Sequence, residues 1–305
     1  MASSLELMSS REHQCIVMKG SLKLMIELRE KLQEWLTKQP HLPHDMEESR
    51  LEYFIVSSKH SLELAKQRID MYYTTKKLVP EILTNRDPFA KQLKKISQFM
   101  QFVCVPELTP EKLRVVITRY TSTDVGSYKL SDLLKYILMI IDVGMSTDRS
   151  LGNIYICDLS KMRLGHLTQL TPSLLKTTEI ISTKVYGVSI KGIHIINAPS
   201  FVDRIVTLAK TTLKPKMAAR VSVHPSGLES LYKVVPKSYL PVDYGGDQPS
   251  IDELDEKQHN KLEECRDWFM KEDLKTIKED LRPGPAVNHD DLFGLYGSFR
   301  KLQVD

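Results

Sequence analysis

The sequence of 305 residues predicts an α/β fold, with a bundle of three helices followed by a domain in which helices flank a mostly parallel β-sheet. Two observations predict it. Three segments with helical spacing of apolar residues come first, and from residue 86 onward β-rich and helical segments alternate. Strands that alternate with helices usually pair in parallel through right-handed crossovers. Hydrophobic residues form 41% of the chain and charged residues 27%, as in globular proteins with a buried core.

The three N-terminal helices have clear start and stop signals. Apolar residues recur every three or four positions over residues 21–37, and Pro40 follows that segment. Asp45 is the predicted N-cap of a second helix and Ser61 that of a third, because short polar side chains accept hydrogen bonds from the first amides of a helix. The third helix is predicted to end before Pro80. These segments predict a helical bundle over residues 11–85.

The alternation of strands and helices defines the next unit. The β-rich runs cover residues 113–120, 153–159, 190–196 and 220–223, and the helical runs cover residues 130–143, 171–186 and 200–210. Pro88 disfavours helix at Asp87 and marks the boundary before this unit. After Ser250 the chain is charged and has one amphipathic stretch. We therefore predict an α/β domain over residues 86–250 and a charged, partly helical tail over residues 251–305.

Motif searches exclude the common classes of catalytic and nucleic-acid-binding site. The sequence has no GxxxxGK[ST], GxGxxG, HExxH or GxSxG motif, so a phosphate loop, a zinc site and an acyl-transfer nucleophile are not predicted. A net charge of +4 is too small to indicate nucleic-acid binding. We therefore expect no enzyme activity, no metal, no cofactor and no nucleic-acid partner.

Three polar positions have both a catalytic and a structural interpretation. His194 lies in a predicted strand and suits a general base, but a core histidine bonded to the backbone is the favoured interpretation. Asp158 ends a strand, where carboxylates often serve catalysis in α/β folds, yet without a partner base it is expected to brace the next helix. The run His289-Asp290-Asp291 follows a Pro/Gly-rich segment and is expected to be a solvated loop rather than a metal site.

Cysteine usage and the amino terminus bear on the cellular compartment. Cys15, Cys104, Cys157 and Cys265 form no CxxC pair, which is typical of free thiols in a reducing compartment. Residues 1–14 lack the apolar core of a signal peptide. The longest apolar run, residues 136–141, is far shorter than the roughly 20 residues that a bilayer span needs. The sequence predicts a soluble, cytosolic protein.

One segment carries a specific resemblance. Residues 191–201 read Lys-Gly-Ile-His-Ile-Ile-Asn-Ala-Pro-Ser-Phe. They resemble the strand-to-gate signature of the CRAL-TRIO lipid-transfer family, and residues 213–224 resemble the end of its gate and the strand that follows. Residues 240–246, Leu-Pro-Val-Asp-Tyr-Gly-Gly, resemble the family's closing Leu-Pro-x-Glu-Tyr-Gly-Gly. The resemblance covers roughly residues 20–250 and is strongest to the tocopherol and retinaldehyde carriers, including their insect relatives.

The resemblance implies an apolar cavity closed by a mobile gate helix. The chain would bind one small hydrophobic ligand of the tocopherol, retinoid, carotenoid or other isoprenoid class, and would release it at membranes when the gate opens. We expect a cytoplasmic monomer that associates transiently with membranes. The alternative is a phosphoinositide-responsive membrane-traffic adaptor, in which the lipid is a signal rather than cargo.

The expected cavity wall combines several elements. Val188 and Ile190 alternate with Ser189 and Lys191, so the first pair is expected to face the ligand and Lys191 the surface. The resemblance adds positions on the helical run 133–141 and on the strand 153–159. The expected ligand-binding residues are Ile137, Ile141, Tyr155, Cys157, Leu164, Leu170, Ile181, Tyr186, Val188 and Ile190.

The predicted gate begins at about residue 200. Its apolar residues are spaced as on one side of an amphipathic helix, a pattern that a helix packed permanently on the sheet would share. They are Phe201, Val202, Ile205, Leu208 and Ala209. Cations close to the gate form a predicted surface for phosphoinositides or other anionic lipids. They are Lys191, Lys210, Lys214, Lys216 and Arg220.

Two departures from the family pattern weaken this surface. Residues 54–58 read Phe-Ile-Val-Ser-Ser where the family usually has Phe-Leu-Arg-Ala-Arg, and Ser189 stands where a second lysine is frequent. Two or three cations are therefore missing. We expect a general attraction to anionic membranes rather than a specific response to phosphoinositides.

Overall fold

In the computed structural model, two of the three N-terminal helices begin at a serine N-cap. The structure describes residues 21–126, 129–225 and 227–293. Ser21 accepts a hydrogen bond from the Leu24 amide at 3.1 Å at the start of α1 (Leu22–Thr37). Residues 1–14 and Cys15, which entered the prediction of a cytosolic protein, lie outside the described residues.

The second helix, α2 (Glu48–Ser57), begins later than predicted. Glu47, in extended conformation, stands at its N-cap instead of Asp45. The Asp45 carboxylate pairs with the ammonium group of Lys275 at 3.2 Å. The Asp45 side chain therefore forms an ion pair with a distant part of the chain, instead of capping α2 as the local sequence predicts. Ser61 caps α3 (Leu62–Leu78) as predicted.

Five strands form one sheet in the order β1-β2-β3-β4-β5. The pairs from β2 to β5 are parallel and the pair of β1 with β2 is antiparallel, so the predicted mostly parallel sheet is confirmed. Of these five strands, β1 was not predicted from the sequence pattern. The strands are β1 (Met100–Leu108), β2 (Arg114–Tyr120), β3 (Asn153–Asp158), β4 (Ile190–Ile196) and β5 (Val221–Val223).

The parallel strands alternate with helices, as predicted. In chain order the further helices are α4 (Pro80–Leu83), α5 (Lys91–Lys94), α6 (Leu130–Thr147), α7 (Leu164–Leu167), α8 (Pro172–Ile180), α9 (Val202–Thr212), α10 (Pro215–Ala218), α11 (Leu228–Leu231), α12 (Ile251–Glu264), α13 (Arg266–Leu274) and α14 (His289–Phe293). A π-helical segment, Ile181–Val185, extends α8. In the parts of the chain that the structure describes, no helix is long and apolar enough to cross a membrane.

The two faces of the sheet are covered differently. On one face, Ile154, Ile156 and Ile196 are buried in a core completed by residues from α11 to α12. On the other face, Tyr155 and Cys157 are only half-buried and pack with apolar residues of α6 and α9. Successive side chains of a strand point to opposite faces of the sheet, so these two sets of residues lie on opposite faces. The second face is the one on which an internal space is found.

The C-terminal helices pack against the rest of the chain. α12 lies against β1, and Phe269 of α13 is fully buried. Leu274, in the amphipathic stretch expected after Ser250, is 82% exposed because it lies at the end of α13. His289 begins a helix rather than the expected loop, since Phe293 on the same turn is buried in the core of the N-terminal bundle.

A buried ionic cluster joins the bundle to α6. Asp142 of α6 accepts hydrogen bonds from Arg50 at 2.8 Å and from Arg86 at 2.6 Å, and from the hydroxyl groups of Tyr72 and Tyr186. Burial alone would raise the pKa of Asp142, but the two guanidinium groups hold it below its usual value. The cluster fixes one side of α6, and the opposite side of this helix borders the cavity described next.

Candidate ligand-binding site

A cavity of about 200 Å³ lies between the N-terminal bundle and the sheet. Its wall combines the side of α6 that faces away from Asp142, the second face of β1 to β3, and the end of α2. The exposed residues of the wall, among them Lys59 and Lys191, mark its mouth. The apolar residues that line the cavity are Leu22, Met25, Tyr53, Val56, Phe102, Cys104, Val116, Ile140, Ile141, Leu151, Tyr155 and Val188.

Three residues on one face of the sheet indicate that the space is internal. Cys104 of β1 and Tyr155 and Cys157 of β3 are accessible over part of their surface although they face α6. Their neighbours in sequence on β3, Ile154 and Ile156, are buried. Burial raises the pKa of the Cys104 thiol to about 12 and that of the Tyr155 hydroxyl to about 12. These groups are therefore neutral at physiological pH and suit contact with an apolar molecule.

A register shift decides which residues of β4 face the cavity. The shift falls between Asn153 and Ile154 of β3, so that Tyr155 pairs with Ile193 and Cys157 with Ile195. Lys191, which alternates with Ile193 and Ile195, therefore lies on the cavity side and lines the mouth. The sequence prediction assumed that side chains alternate without interruption from Val188 to Lys191, and it therefore expected Lys191 on the side opposite the ligand. The irregularity at the start of the β3–β4 pairing changes this.

The loop before β4 comes very close to the bundle at the mouth. Gly187 has a φ of +69°, and a Cβ atom there would lie 1.7 Å from Nη1 of Arg68, so only glycine fits. Arg68 Nη1 donates a hydrogen bond to the Ser57 carbonyl at 2.7 Å. Arg68 of α3 thus places a cation beside Ser57, between Val56 and Ser58, the two positions at which the family pattern has arginine on the preceding helix.

The structure distributes the expected ligand-binding residues over several places. Ile141, Tyr155 and Val188 line the cavity. Ile137, Cys157 and Leu170 are half-buried in the hydrophobic cluster that continues from the cavity to α9. Ile190 is half-buried at the start of β4. Three lie elsewhere: Leu164 is 48% exposed, and Ile181 and Tyr186 are buried in the core of the bundle. Tyr186 is held there by its hydrogen bond to Asp142.

The predicted gate is an amphipathic helix, α9, that has no buried residue. Phe201, Val202 and Ile205 pack against the cluster that includes Tyr155 and Phe102 of the cavity wall. Leu208 and Ala209 are also half-buried, while Asp203, Arg204 and Thr207 on the other side are exposed. Because no side chain of α9 is fully enclosed, little apolar surface holds it against the sheet.

Cations concentrate near the end of α9. Lys210, Lys214 and Lys216 are exposed, and within the described ranges none of them belongs to an ion pair. Arg220 is half-buried and donates to the Ile190 carbonyl, so its role is partly structural. Burial lowers the pKa of Lys184, and the neighbouring charges of Lys214 and Lys176 lower it further. The sequence analysis did not include Lys176 and Lys184, which the turns of α8 bring to this cluster.

Asp158 and His194 have structural partners. Asp158 accepts hydrogen bonds from Asn197 and from the Tyr244 hydroxyl, and so ties the end of β3 to the end of β4 and to the closing motif. His194 Nδ1 lies 2.9 Å from His224 Nε2, on the face of the sheet opposite the cavity. It is a core histidine as favoured, but its partner is a side chain rather than the backbone.

A half-open sheet face, a cavity and an amphipathic helix beside it define a protein that binds a small hydrophobic molecule. Residues 91–246 match the CRAL/TRIO domain, and the chain belongs to that family, whose members bind and transfer small hydrophobic lipids. Residues 24–93 match the domain described as Pinta-like, UBA domain.

The chain is similar to several named proteins. The chain is 26% identical over 251 residues to alpha-tocopherol transfer protein-like from Homo sapiens, a match that covers 82% of this chain and 70% of the relative. It is 28% identical over 142 residues to clavesin-1 from Rattus norvegicus, which covers 46% of this chain and 40% of the relative. The solved structure of Sfh5 matches 68% of this chain and 75% of its own, with 13% identity and a TM-score of 0.49.

Proposed function

We propose that this protein holds one small hydrophobic ligand in the cavity and releases it at membranes when α9 moves away from the sheet. The observation that carries the proposal is the set of half-buried, uncharged side chains, Cys104, Tyr155 and Cys157, on the sheet face toward α6. Each buried CH₂ group of a ligand contributes about 0.8 kcal/mol, so such a wall supplies affinity without an ion pair. Membership of the CRAL/TRIO family supports the same function.

The size of the cavity supports a role for α9 as a gate. The cavity measures about 200 Å³, whereas pockets that enclose drug-sized ligands measure roughly 300–1,000 Å³. A tocopherol, retinoid, carotenoid or other isoprenoid molecule therefore needs additional room. No residue of α9 lines the cavity, but α9 packs on the hydrophobic cluster that shares Phe102 and Tyr155 with the cavity wall, and none of its side chains is fully buried. Its displacement would therefore extend the site at low cost.

A carrier is favoured over an enzyme by the chemistry of the wall. The Cys104 thiol and the Tyr155 hydroxyl group, which line the cavity, and the nearby Cys157 thiol have raised pKa values because they are buried, so they stay protonated and are poor nucleophiles. Asp158 and His194 are engaged with other side chains away from the cavity. The relatives whose names state an activity are named for transfer.

The gate can be tested with a charge on the apolar side of α9. We expect Ile205→Lys to lower the rate of ligand transfer between donor and acceptor vesicles by about tenfold, because an ammonium group neither packs in the hydrophobic cluster nor enters the acyl region of a bilayer. The rate is measured by fluorescence of a labelled isoprenoid. Thr207→Lys, on the exposed side of the same helix, is the control and should transfer normally. Equal rates for the two variants would contradict a gating role for α9.

The membrane surface can be tested with a charge reversal near the gate. We expect Lys216→Glu to weaken cosedimentation with phosphatidylserine vesicles by about tenfold, since each cation near an anionic surface contributes about 1 kcal/mol. Lys257→Glu is the control, because α12 packs against β1 at the opposite edge of the sheet. The same loss in both variants would exclude a localised surface. Binding only to vesicles with phosphoinositides would favour the alternative of a phosphoinositide-responsive adaptor, in which the lipid is a signal.

A further inference from the structure

The polarity of the cavity wall changes along the strands. Arg114 and Asn153 pair at the start of β2 and β3, at the edge of the sheet where the cavity opens. Two residues further along each strand, Val116 and Tyr155 line the wall. On α6 the order is the same, from apolar residues such as Ile140 toward polar ones at the C-terminal end. The cavity therefore has an apolar interior and a polar end beside its mouth.

Two tyrosine hydroxyl groups lie in this cavity with hydrogens to donate. Asn153 Nδ2 donates to Tyr155 Oη at 3.3 Å, which leaves the Tyr155 hydroxyl hydrogen available. In the described ranges no acceptor is found for it, and Tyr53 makes no hydrogen bond through its hydroxyl group. Burial raises the pKa of Tyr53, and the nearby Asp148 and Tyr155 raise it further, so both hydroxyl groups stay protonated. Both hydroxyl groups can therefore donate a hydrogen bond to a molecule in the cavity.

Two carboxylates, Glu52 and Asp148, also line this end, and both are engaged by arginines; Glu52 pairs with Arg29 at 3.1 Å. The Asp148 carboxylate is engaged by Arg114 at 2.9 Å and by the Ser150 amide at 2.9 Å. Lys59 and Lys191 are exposed at the mouth, and among the described residues neither forms an ion pair. A molecule that enters here therefore meets two neutral O–H donors and two cations. The complementary chemical group is an oxygen that accepts hydrogen bonds.

We infer that the ligand is a lipid with one terminal acceptor oxygen, a carbonyl or a carboxylate, which binds between the hydroxyl groups of Tyr53 and Tyr155 while its hydrocarbon part lies against Phe102, Val116 and Ile140. The inference rests on the proposed function. The head group lies toward the mouth and stays partly hydrated, and the apolar part points inward. A pure hydrocarbon would leave both hydroxyl groups without a partner and binds less tightly.

Three ligands of equal chain length test this inference on the full chain after lipid extraction. They are tritiated tetradecanoic acid, its methyl ester and tetradecane, which carry a carboxylate, a carbonyl oxygen and no oxygen. We expect the wild-type protein to bind the acid and the ester about tenfold more tightly than the hydrocarbon. The double variant Tyr53→Phe/Tyr155→Phe should lose this preference and bind the hydrocarbon normally. Tyr239→Phe, on the opposite face of the sheet, is the matched control and should keep the preference.

The outcomes separate the inference from the proposed function. Equal affinity of the wild-type protein for all three ligands, or an unchanged preference in the double variant, would overturn the inference and leave the carrier function intact. Failure of the folded wild-type protein to bind any of the three would overturn both. A tighter binding of the acid than of the ester supports the inference and assigns a further contribution to Lys59 and Lys191.

Discussion

Gly144→Phe is expected to reduce ligand binding by about 100-fold. Gly144 is on the side of α6 that lines the cavity, and a benzyl group there would occupy much of the space of about 200 Å³. A Cβ atom at this position would meet only the Asp148 Cβ, at 3.9 Å, so the first carbon fits and the ring must project into the cavity. Exclusion of three or four CH₂ groups of the ligand costs about 2.7 kcal/mol, which is about 100-fold in affinity. The measurement is equilibrium binding of a fluorescent lipid.

Gly144→Ala is the control for the effect on folding. Alanine in a helix is more stable than glycine by about 0.5–1 kcal/mol, so this variant should bind ligand normally and unfold at a slightly higher temperature. If Gly144→Phe unfolds cooperatively and binds lipid with the affinity of the wild-type protein, the cavity beside α6 is not the ligand site.

Asp142→Ala is expected to destabilise the protein by about 3–5 kcal/mol. The substitution leaves Arg50 and Arg86 buried without their common carboxylate, and it removes the acceptor for two tyrosine hydroxyl groups. One buried charge without a partner costs far more than the loss of a surface ion pair. The measurement is the free energy of unfolding in urea, by circular dichroism.

Glu34→Ala provides the comparison on the surface. It removes an exposed pair with Lys38, four residues away on α1, and should leave the urea midpoint close to that of the wild-type protein. A similar midpoint for Asp142→Ala would contradict the view that the buried cluster fixes α6 against the bundle. That fixation matters for function, because α6 provides one wall of the cavity.

Local patterns predicted most of the fold. Ser61 stands at its predicted N-cap because a side-chain oxygen beside free helix amides needs no distant partner. Asp45 failed as a cap because its partner, Lys275, is 230 residues away in sequence. β1 was missed because it is an antiparallel edge strand that precedes the βα alternation. Interactions between distant segments decided both cases.

The candidate site was less predictable than the fold. Side chains alternate between the two faces of a strand, and this alternation puts Tyr155 and Ile154 on opposite faces of β3. The register shift between β3 and β4 before Ile154, however, cannot be predicted from the sequence of one strand alone. Tyr53 and Cys104 were missed since their place in the wall depends on how the bundle and the edge strand pack. Leu164 was included although it is exposed, because α7 is a single turn with no apolar period to orient it.

Native mass spectrometry of the full chain tests the account most directly. The protein is extracted with organic solvent, refolded, incubated with vesicles that contain a mixture of isoprenoid and fatty-acyl lipids, and separated from them. We predict a second mass peak that exceeds the protein mass by one lipid molecule, present for the wild-type protein and for Gly144→Ala and absent for Gly144→Phe. A folded wild-type protein that shows only its own mass, with every lipid in the mixture, would contradict the carrier function.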